Sequence, residues 1–121
     1  MKRDTNRLVI EQLDRKIKKI TPAGTVIAPS TGWINAIRTA VRMSLQQLGD
    51  KLGITPQSVR GIERREANGS ITLNSLKEVA EAMDMKLVYG FIPKEQSIEK
   101  WIDKKAYEAA RKIVMRTSNT M

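Results

Sequence analysis

SLQQLGDKLGITPQSVRGIER, at residues 44–64, carries matched start and stop signals for two short helices. Ser44 is followed three residues later by Gln47, and this Ser-x-x-Gln pattern predicts a capping box at the start of the first helix. Gly53 is a residue type that tolerates the left-handed conformation at a helix end. Thr55 then predicts the cap of the second helix, and a proline occupies the first helical position, where a missing N–H costs nothing.

The small and apolar residues of this segment predict how the two helices pack. Gly49 suits a close crossing of the helices, and Ile54 can anchor the turn that Gly53 makes. Val59 and Ile62 lie three residues apart, so we expect them to dock the second helix on the core. Two short helices joined by a glycine-containing turn form a helix-turn-helix unit. A helical hairpin with a merely polar outer face is the less specific interpretation of the same spacing.

The second helix has a polar side opposite its apolar anchors, because successive residues are rotated by about 100°. That side consists of Gln57, Arg60, Gly61 and Arg64. Glutamine can pair with adenine and arginine with guanine in the major groove, and a glycine lets a helix approach the bases. We expect Thr55 and Ser58 at the helix start to contact phosphate. Arg64 and Arg65 are expected at the far end, near the groove wall. The sequence therefore predicts a DNA-binding helix and double-stranded DNA as its partner.

Outside this unit the chain is predicted to be mainly helical. Apolar residues at helical spacing predict further helices over about Asp4–Ile20, Trp33–Met43, Thr72–Met83 and Ser97–Met115. The β-branched and aromatic segment Lys86–Ile92, stopped by Pro93, predicts one short strand. The expected fold class is mainly all-α: a helix-turn-helix bundle with helical extensions at both ends and that one strand.

Three parts of the chain are expected from this organisation. They are an N-terminal amphipathic helix and linker at 1–30, a helix-turn-helix domain at 31–84, and a strand with a C-terminal helix at 85–121.

The composition excludes several classes of function. The chain has no cysteine and no histidine, which removes disulfides, zinc fingers, thiol catalysis and histidine-dependent triads. We therefore expect no metal site, no cofactor and no enzymatic activity. Asp50, Glu63 and Glu66 could pair as carboxylates, but no pocket-forming motif or phosphate loop accompanies them.

Charge and hydropathy indicate where the protein acts and on what. The net charge is +9, with most of the excess in residues 1–20 and 94–121. This balance favours a polyanionic partner, of which nucleic acid is the usual one, although a solvated basic surface is the alternative. No apolar run approaches 18 residues, so we expect a cytoplasmic protein without a membrane span.

Beyond these patterns, residues from about Trp33 to Met83 resemble the phage-repressor or Xre-like class, which implies a repressor-like bundle of four or five helices. More narrowly, the whole chain resembles the family called mobile mystery protein A. The motifs that carry this resemblance are QLD at 12–14, GWINAIR at 32–38, MSL at 43–45, GSITL at 69–73 and LVYGFIP at 87–93.

The resemblance implies a bacterial, antitoxin-like repressor, encoded on mobile elements beside a Fic-domain partner, that autoregulates their shared operon. It also implies that Thr55, Gln57 and Ser58 contact bases, and that Ser44 and Gln46 contact phosphate. Pro56 departs from the class pattern, which often has glutamine there, and the bases that are read are therefore not implied. The alternative function is an antitoxin that chiefly binds its partner protein, with DNA binding secondary.

Repressors of this size commonly act as symmetric dimers, so we expect a homodimer. The predicted interface residues are Leu87, Val88, Tyr89, Phe91 and Trp101. The predicted strand has no obvious neighbour in the chain except Thr25–Ala28, and an isolated strand is unstable, so pairing with a second copy would complete it. The sequence equally allows the terminal helices to complete the core of a monomer.

Overall fold

The computed structural model describes residues 2–119, with side chains described from residue 6 to residue 116. Within that range the chain forms six α-helices and one 3₁₀ helix. The α-helices are α1 (Lys2–Ile20), α2 (Trp33–Ala40), α3 (Leu45–Leu52), α4 (Pro56–Asn68), α5 (Leu73–Ala82) and α6 (Ile98–Asn119), and the 3₁₀ helix is Thr21–Thr25. The chain divides into two compact units: residues 27–89, and the two terminal segments on either side of them.

The central unit, residues 27–89, is built from α2 to α5 around a small apolar core. Ile34, Leu48, Val59 and Val79, one from each helix, form its centre and are at most 3% exposed. Half-buried apolar side chains pack against this centre, among them Ile54, Ile62 and Leu76. Because each helix contributes one central residue, α3 and α4 are held on the same core and their relative orientation is fixed by it.

The helix boundaries in the central unit follow the predicted caps. The Ser44 hydroxyl accepts a hydrogen bond from the Gln47 N–H, and the Gln47 side chain accepts one from the Ser44 N–H, so the capping box is confirmed. Gly53 adopts the left-handed conformation with φ 71°. Thr55 and Thr72 each cap the helix that follows.

Two of the predicted boundaries are wrong by a few residues. α2 ends at Ala40 rather than Met43, because Arg42 turns the chain with a φ of 59° and the Met43 N–H bonds to the carbonyl of Arg38. α4 extends to Asn68 rather than to Arg64 or Arg65, and it ends where Gly69 takes a φ of 81°.

The strand predicted at residues 86–92 is not seen in the single chain. Residues 85–93 lie in neither helix nor strand, and the expected neighbour is also absent, since Thr25 ends the 3₁₀ helix and residues 26–28 are irregular. A strand needs a ladder of hydrogen bonds from an adjacent strand, and the described part of this chain offers none. The side-chain composition favours a strand here, but composition alone does not supply that partner.

The second unit combines the two terminal segments. α1 packs against α6, and the carboxylate of Asp14 on α1 accepts hydrogen bonds from the N–H groups of Ile98 and Glu99, at 2.7 and 3.3 Å. Asp14 therefore acts as a cap for α6 from a distant part of the sequence, where a negative charge is favourable. Between residues 2 and 119, none of the helices combines the length and apolar character that a membrane crossing requires.

Candidate nucleic-acid interface

The turn between α3 and α4 is tight because Gly49 lies directly against it. A Cβ atom built on Gly49 would lie 2.6 Å from the carbonyl oxygen of Ile54, which is closer than real atoms approach. The Ile54 N–H also donates to the Gly49 carbonyl, at 2.9 Å. The predicted close crossing at Gly49 is therefore confirmed, and it fixes where α4 begins.

The start of α4 offers fewer free N–H groups than the sequence suggested. Pro56 has no N–H, and the Ser58 N–H donates to the Thr55 hydroxyl oxygen at 3.1 Å. The Thr55 hydroxyl in turn donates to the Ser58 hydroxyl oxygen at 2.9 Å. Among the described residues, none accepts from the Gln57 N–H, which leaves it available to an anion at this helix start.

One side of α4 is exposed along its whole length. Its exposed side chains are Gln57, Ser58, Arg60, Arg64 and Arg65, and Gly61 is half-buried among them. Val59 and Glu63, on the other side, are buried. The predicted outward set thus lies on one solvent-facing side of the helix.

Arg65 lies closer to the centre of this side than the sequence suggested. An ideal Cβ on Gly61 would be 3.4 Å from the Nη1 atom of Arg65, so the guanidinium reaches back one helical turn over the glycine. Gly61 therefore leaves room for the Arg65 side chain on this side of the helix. Arg65 was expected instead only at the far end of the helix.

The opposite side of α4 is joined to α2 by an ion pair. Glu63 Oε2 lies 2.6 Å from Arg38 Nε, and Glu63 Oε1 accepts from Asn35 Nδ2 at 2.8 Å. Both charged side chains are largely buried, 15% exposed for Arg38 and 8% for Glu63. Arg38 also donates to the carbonyl of Met43, at 2.9 Å, which ties the end of α2 to the same network.

The ionisation of this pair reflects competing effects. Burial by itself raises the pKa of Glu63, but the hydrogen bonds from Arg38 and Asn35, with the positive charges of Arg38 and Arg60, outweigh burial and lower it. The hydrogen bond to Glu63 raises the pKa of Arg38. Both groups are therefore held in their charged forms.

Glu66, one turn further along α4, caps the start of α2. Its two carboxylate oxygens accept hydrogen bonds from the N–H groups of Trp33 and Ile34, both at 2.9 Å. Gly32 precedes α2 with a φ of 88° and no capping side chain, and a Cβ there would lie 2.7 Å from Glu66 Oε1. The carboxylate thus takes the place of a side-chain cap on Gly32.

These contacts separate the charges of α4. Both of its acidic side chains face α2, and its three arginines are exposed to solvent. The solvent-exposed side of α4 therefore carries a positive charge, although the helix contains both acidic and basic residues. Sequence reasoning considered Glu63 and Glu66 only as a possible carboxylate pair, because their partners lie about 30 residues away in the chain.

The start of α3 supplies the other predicted phosphate contacts. Ser44 and Gln46 are exposed, but the Ser44 hydroxyl already accepts from Gln47, and Gln46 Nε2 donates to Asp50 Oδ1 at 2.8 Å. Arg42, exposed immediately before this helix, was not among the predicted residues. Its placement depends on the turn at a φ of 59°, for which a lone arginine gives no sequence signal.

The residues predicted for dimerisation are mostly exposed. The exposed fractions are 68% for Val88, 63% for Tyr89, 86% for Phe91 and 46% for Trp101, whereas Leu87 is half-buried. The ammonium group of Lys77 lies 6.0 Å from the centre of the Tyr89 ring. Their role at an interface stays a prediction.

Residues 34–89 match the protein-family model described as Helix-turn-helix. No curated protein and no solved structure matches the chain. The matched range covers α3, α4 and the turn between them, together with all of α5 and all of α2 except Trp33. Residues 34–89 are therefore similar to helix-turn-helix domains, which suggests a DNA-binding transcription regulator.

Proposed function

We propose that this protein is a sequence-specific transcriptional repressor that inserts the exposed side of α4 into the major groove of double-stranded DNA. The observation that carries the proposal is the separation of charge on α4: its acids are bonded to α2 while its arginines and Gln57 face solvent. A duplex presents negative phosphates at the groove walls and hydrogen-bonding base edges between them. The exposed side of α4 matches both requirements.

Each residue of this side has a distinct proposed role. Gln57 pairs with adenine and Arg60 donates to guanine, since these pairings suit the major-groove edges of those bases, and Arg64 binds phosphate at the groove wall. Gly61 permits close approach of the helix. The Gln57 N–H, the Thr55 and Ser58 hydroxyls and Arg65 bind phosphate and hold the helix in register. At the start of α3, Ser44 and Gln46 contact phosphate after exchanging the bonds that they make within the helix.

The biological setting of the proposal comes from the resemblance to mobile mystery protein A. We propose that the protein is a bacterial, antitoxin-like regulator on a mobile element, that it acts on the nucleoid in the cytoplasm, and that it represses an operon shared with a Fic-domain partner. We propose also that it acts as a homodimer, because two copies double the contacts that one short helix makes with DNA.

The experiment that tests the proposal is fluorescence anisotropy on the DNA upstream of the protein's own gene, with a random duplex of equal length beside it. We expect binding to the upstream DNA to be tighter by roughly a thousandfold, as for other sequence-specific regulators. Footprinting would then locate the operator. Equal affinity for both duplexes would contradict the proposal and favour an antitoxin that mainly binds its partner protein.

Variants of α4 test whether this helix reads the bases. Gln57→Ala and Arg60→Ala should each weaken binding to the operator by about 1–3 kcal/mol and relax base preference at one position. Lys112→Ala, which removes one positive charge from the exposed side of α6, is the control for net charge. A loss that is the same on operator and random duplex would show that α4 touches only phosphate.

A further inference from the structure

We propose that residues 86–92 form an antiparallel strand pair with the same residues of a second copy of this chain, about a twofold axis through Tyr89. This inference rests on the homodimer proposed above and assigns its interface. The proposal concerns only residues 86–92, which include the boundary between the two units of the chain.

The backbone of this segment is free to pair. No described residue hydrogen-bonds to any N–H or C=O group from Lys86 to Ile92, whereas the Met85 N–H just before them bonds to the Ala80 carbonyl. None of the residues 85–93 has a positive φ, and this includes Gly90. The row of unpaired donors and acceptors is what an edge strand offers to another chain.

The side chains of the segment also suit a strand that lies against an identical one. Val88, Tyr89 and Phe91 are β-branched or aromatic and are 63–86% exposed. Large apolar side chains rarely stand together in solvent unless they mark an interaction surface. Pairing with a second copy would bring side chains of the two strands beside one another on each face and complete the hydrogen bonds at the same time.

The last residues of the segment show which side is available. A Cβ on Gly90 would meet the side chain of Ile20, and the Ile92 side chain reaches within 3.0 Å of the position of a Cβ on Gly24. Phe91, between them, is 86% exposed. In the proposed strand, where side chains would alternate, Phe91 would share its side with Leu87 and Tyr89, and Val88 would lie on the other side.

The twofold symmetry of a dimer limits how the two strands can align. Near the centre of the segment it allows three alignments. Neighbouring pairs in an antiparallel ladder alternate between hydrogen-bonded and non-bonded types. Pairs on the two sides of a twofold axis must be identical, so the axis has to pass through a residue that faces its own copy. That residue is Val88, Tyr89 or Gly90.

Charge and the number of residues that can pair favour a twofold axis at Tyr89 over one at Val88 or Gly90. An axis at Gly90 would place Lys86 opposite Lys94 of the second copy, and like charges directly opposite are unfavourable. An axis at Val88 would place Ile92 opposite Asp84. Asp84 has a φ of 56°, which is not the extended conformation of a strand, so this alignment would pair fewer residues. An axis at Tyr89 pairs all residues from 86 to 92 and brings Asp84 of each copy near Lys94 of the other.

Pro93 then fixes the type of each pair. With the axis at Tyr89, Pro93 faces Met85, and this pair must be non-bonded because proline has no N–H. The Tyr89 pair is then also non-bonded, with Cα atoms about 4.5 Å apart, and the pairs formed by Val88 and Gly90 carry hydrogen bonds.

The chain has no cysteine, so single cysteine variants can measure this register directly. In a Tyr89→Cys variant the two sulfurs would face each other across the axis, within the range that a disulfide spans. Val88→Cys is the matched control, because it is equally exposed but its two copies would lie about 7–8 Å apart on a diagonal. The full-length variants would be oxidised under mild conditions, without DNA, and the covalent dimer quantified on a non-reducing gel.

We expect Tyr89→Cys to form the covalent dimer roughly tenfold faster than Val88→Cys, because a disulfide cannot bridge Cα atoms more than about 7 Å apart without backbone movement. Faster linkage of Val88→Cys, equal rates for both, or no linkage of either would each overturn the proposed pairing. Sedimentation of the unmodified protein at micromolar concentration should show a dimer, and a stable monomer would overturn it as well.

These outcomes are independent of DNA binding. If the upstream DNA is bound no better than random duplex while Tyr89→Cys links as expected, the repressor function fails and the dimer stands. If the operator is bound specifically and the two cysteine variants do not differ, the function stands and the pairing fails.

Discussion

Arg38 of α2 and Glu63 of α4 form a largely buried ion pair, with Arg38 Nε 2.6 Å from Glu63 Oε2. Three further hydrogen bonds support the pair: Arg38 Nη2 donates to Glu63 Oε1, Asn35 donates to Glu63, and Arg38 donates to the Met43 carbonyl. Together with the core residue Val59, the pair orients α4 about its own axis, with the arginines of α4 facing solvent. The orientation of the proposed reading side thus depends on an interaction on the opposite side of the helix.

Glu63→Gln should lower the free energy of unfolding by about 3 kcal/mol, because it leaves the Arg38 charge buried without its counter-ion. Chemical denaturation followed by circular dichroism measures the change. Glu78→Gln is the control, since Glu78 is an exposed acid of α5. Equal effects of the two variants would mean that the pair does not stabilise the domain.

Stability should also depend on pH through Glu63. Its pKa is lowered from the ordinary value of 4.5 in the folded state, so the stabilisation is fully present above pH 4.5. It is lost as the pH falls through the folded-state pKa. The difference in unfolding free energy between the wild type and Glu63→Gln should therefore be constant from pH 5 to 7 and shrink below about 4.5. A difference that does not change down to pH 3 would contradict this assignment.

Gly32 and Glu66 should be energetically coupled. Gly32→Ala places a Cβ 2.7 Å from the Glu66 carboxylate at a φ of 88°, so it should cost about 2–3 kcal/mol through backbone strain and loss of the α2 cap. Glu66→Ala alone should cost about 1–2 kcal/mol. The double variant should lose less than the sum of these, because the clash is removed with the carboxylate.

Gly69→Ala is the control for the strain at Gly32. It has a similar φ of 81° but nothing within 4 Å of the added Cβ. It should cost about 1 kcal/mol and add independently to Glu66→Ala. If the effects of Gly32→Ala and Glu66→Ala on the free energy of unfolding were also additive, the contact between Gly32 and Glu66 would be disproved.

Gly61→Ala should change stability and DNA affinity in opposite directions. The new methyl group meets only the flexible end of Arg65 at 3.4 Å, so replacing glycine inside a helix should stabilise the domain by about 0.5–1 kcal/mol. It should weaken operator binding, because it separates the helix from the bases. Thermal unfolding and anisotropy measure the two effects on one preparation.

Gly49→Ala should have the opposite effect on stability from Gly61→Ala. Its Cβ would meet the Ile54 carbonyl oxygen, which belongs to the backbone and cannot move aside, so the variant should lose about 3 kcal/mol. Stabilisation by Gly61→Ala together with unchanged operator affinity would exclude Gly61 from the interface.

Local signals made the helix-turn-helix unit predictable from the sequence. Caps such as Ser44 and Thr55 act within three residues of themselves, and Gly53 acts on its own backbone, so their effects can be inferred from a short window. The apolar spacing of Val59 and Ile62 similarly predicts which side of α4 docks, and the structure shows Val59 buried and Ile62 half-buried.

Contacts between distant residues were not predictable in the same way. Glu63 and Glu66 meet partners in α2 only after both helices have packed on the core, so spacing within α4 gives no sign of their roles. The strand at 86–92 fails for a related reason: its composition is local, but a strand requires a partner, and within residues 2–119 the chain supplies none. The left-handed turn at Arg42, which shortens α2, was missed for another reason: it is local, but arginine is not a residue type that indicates a positive φ.

The bonds from Glu63 and Glu66 to α2 also have a consequence for which residues of α4 can vary. Because these two carboxylates hold the helix from the side that faces α2, we expect substitutions of exposed side chains such as Gln57 and Arg64 to change thermal stability little. Related copies could then acquire new operators by a few substitutions on one side of one helix, and a designer could screen a library at those positions with the melting temperature held nearly constant.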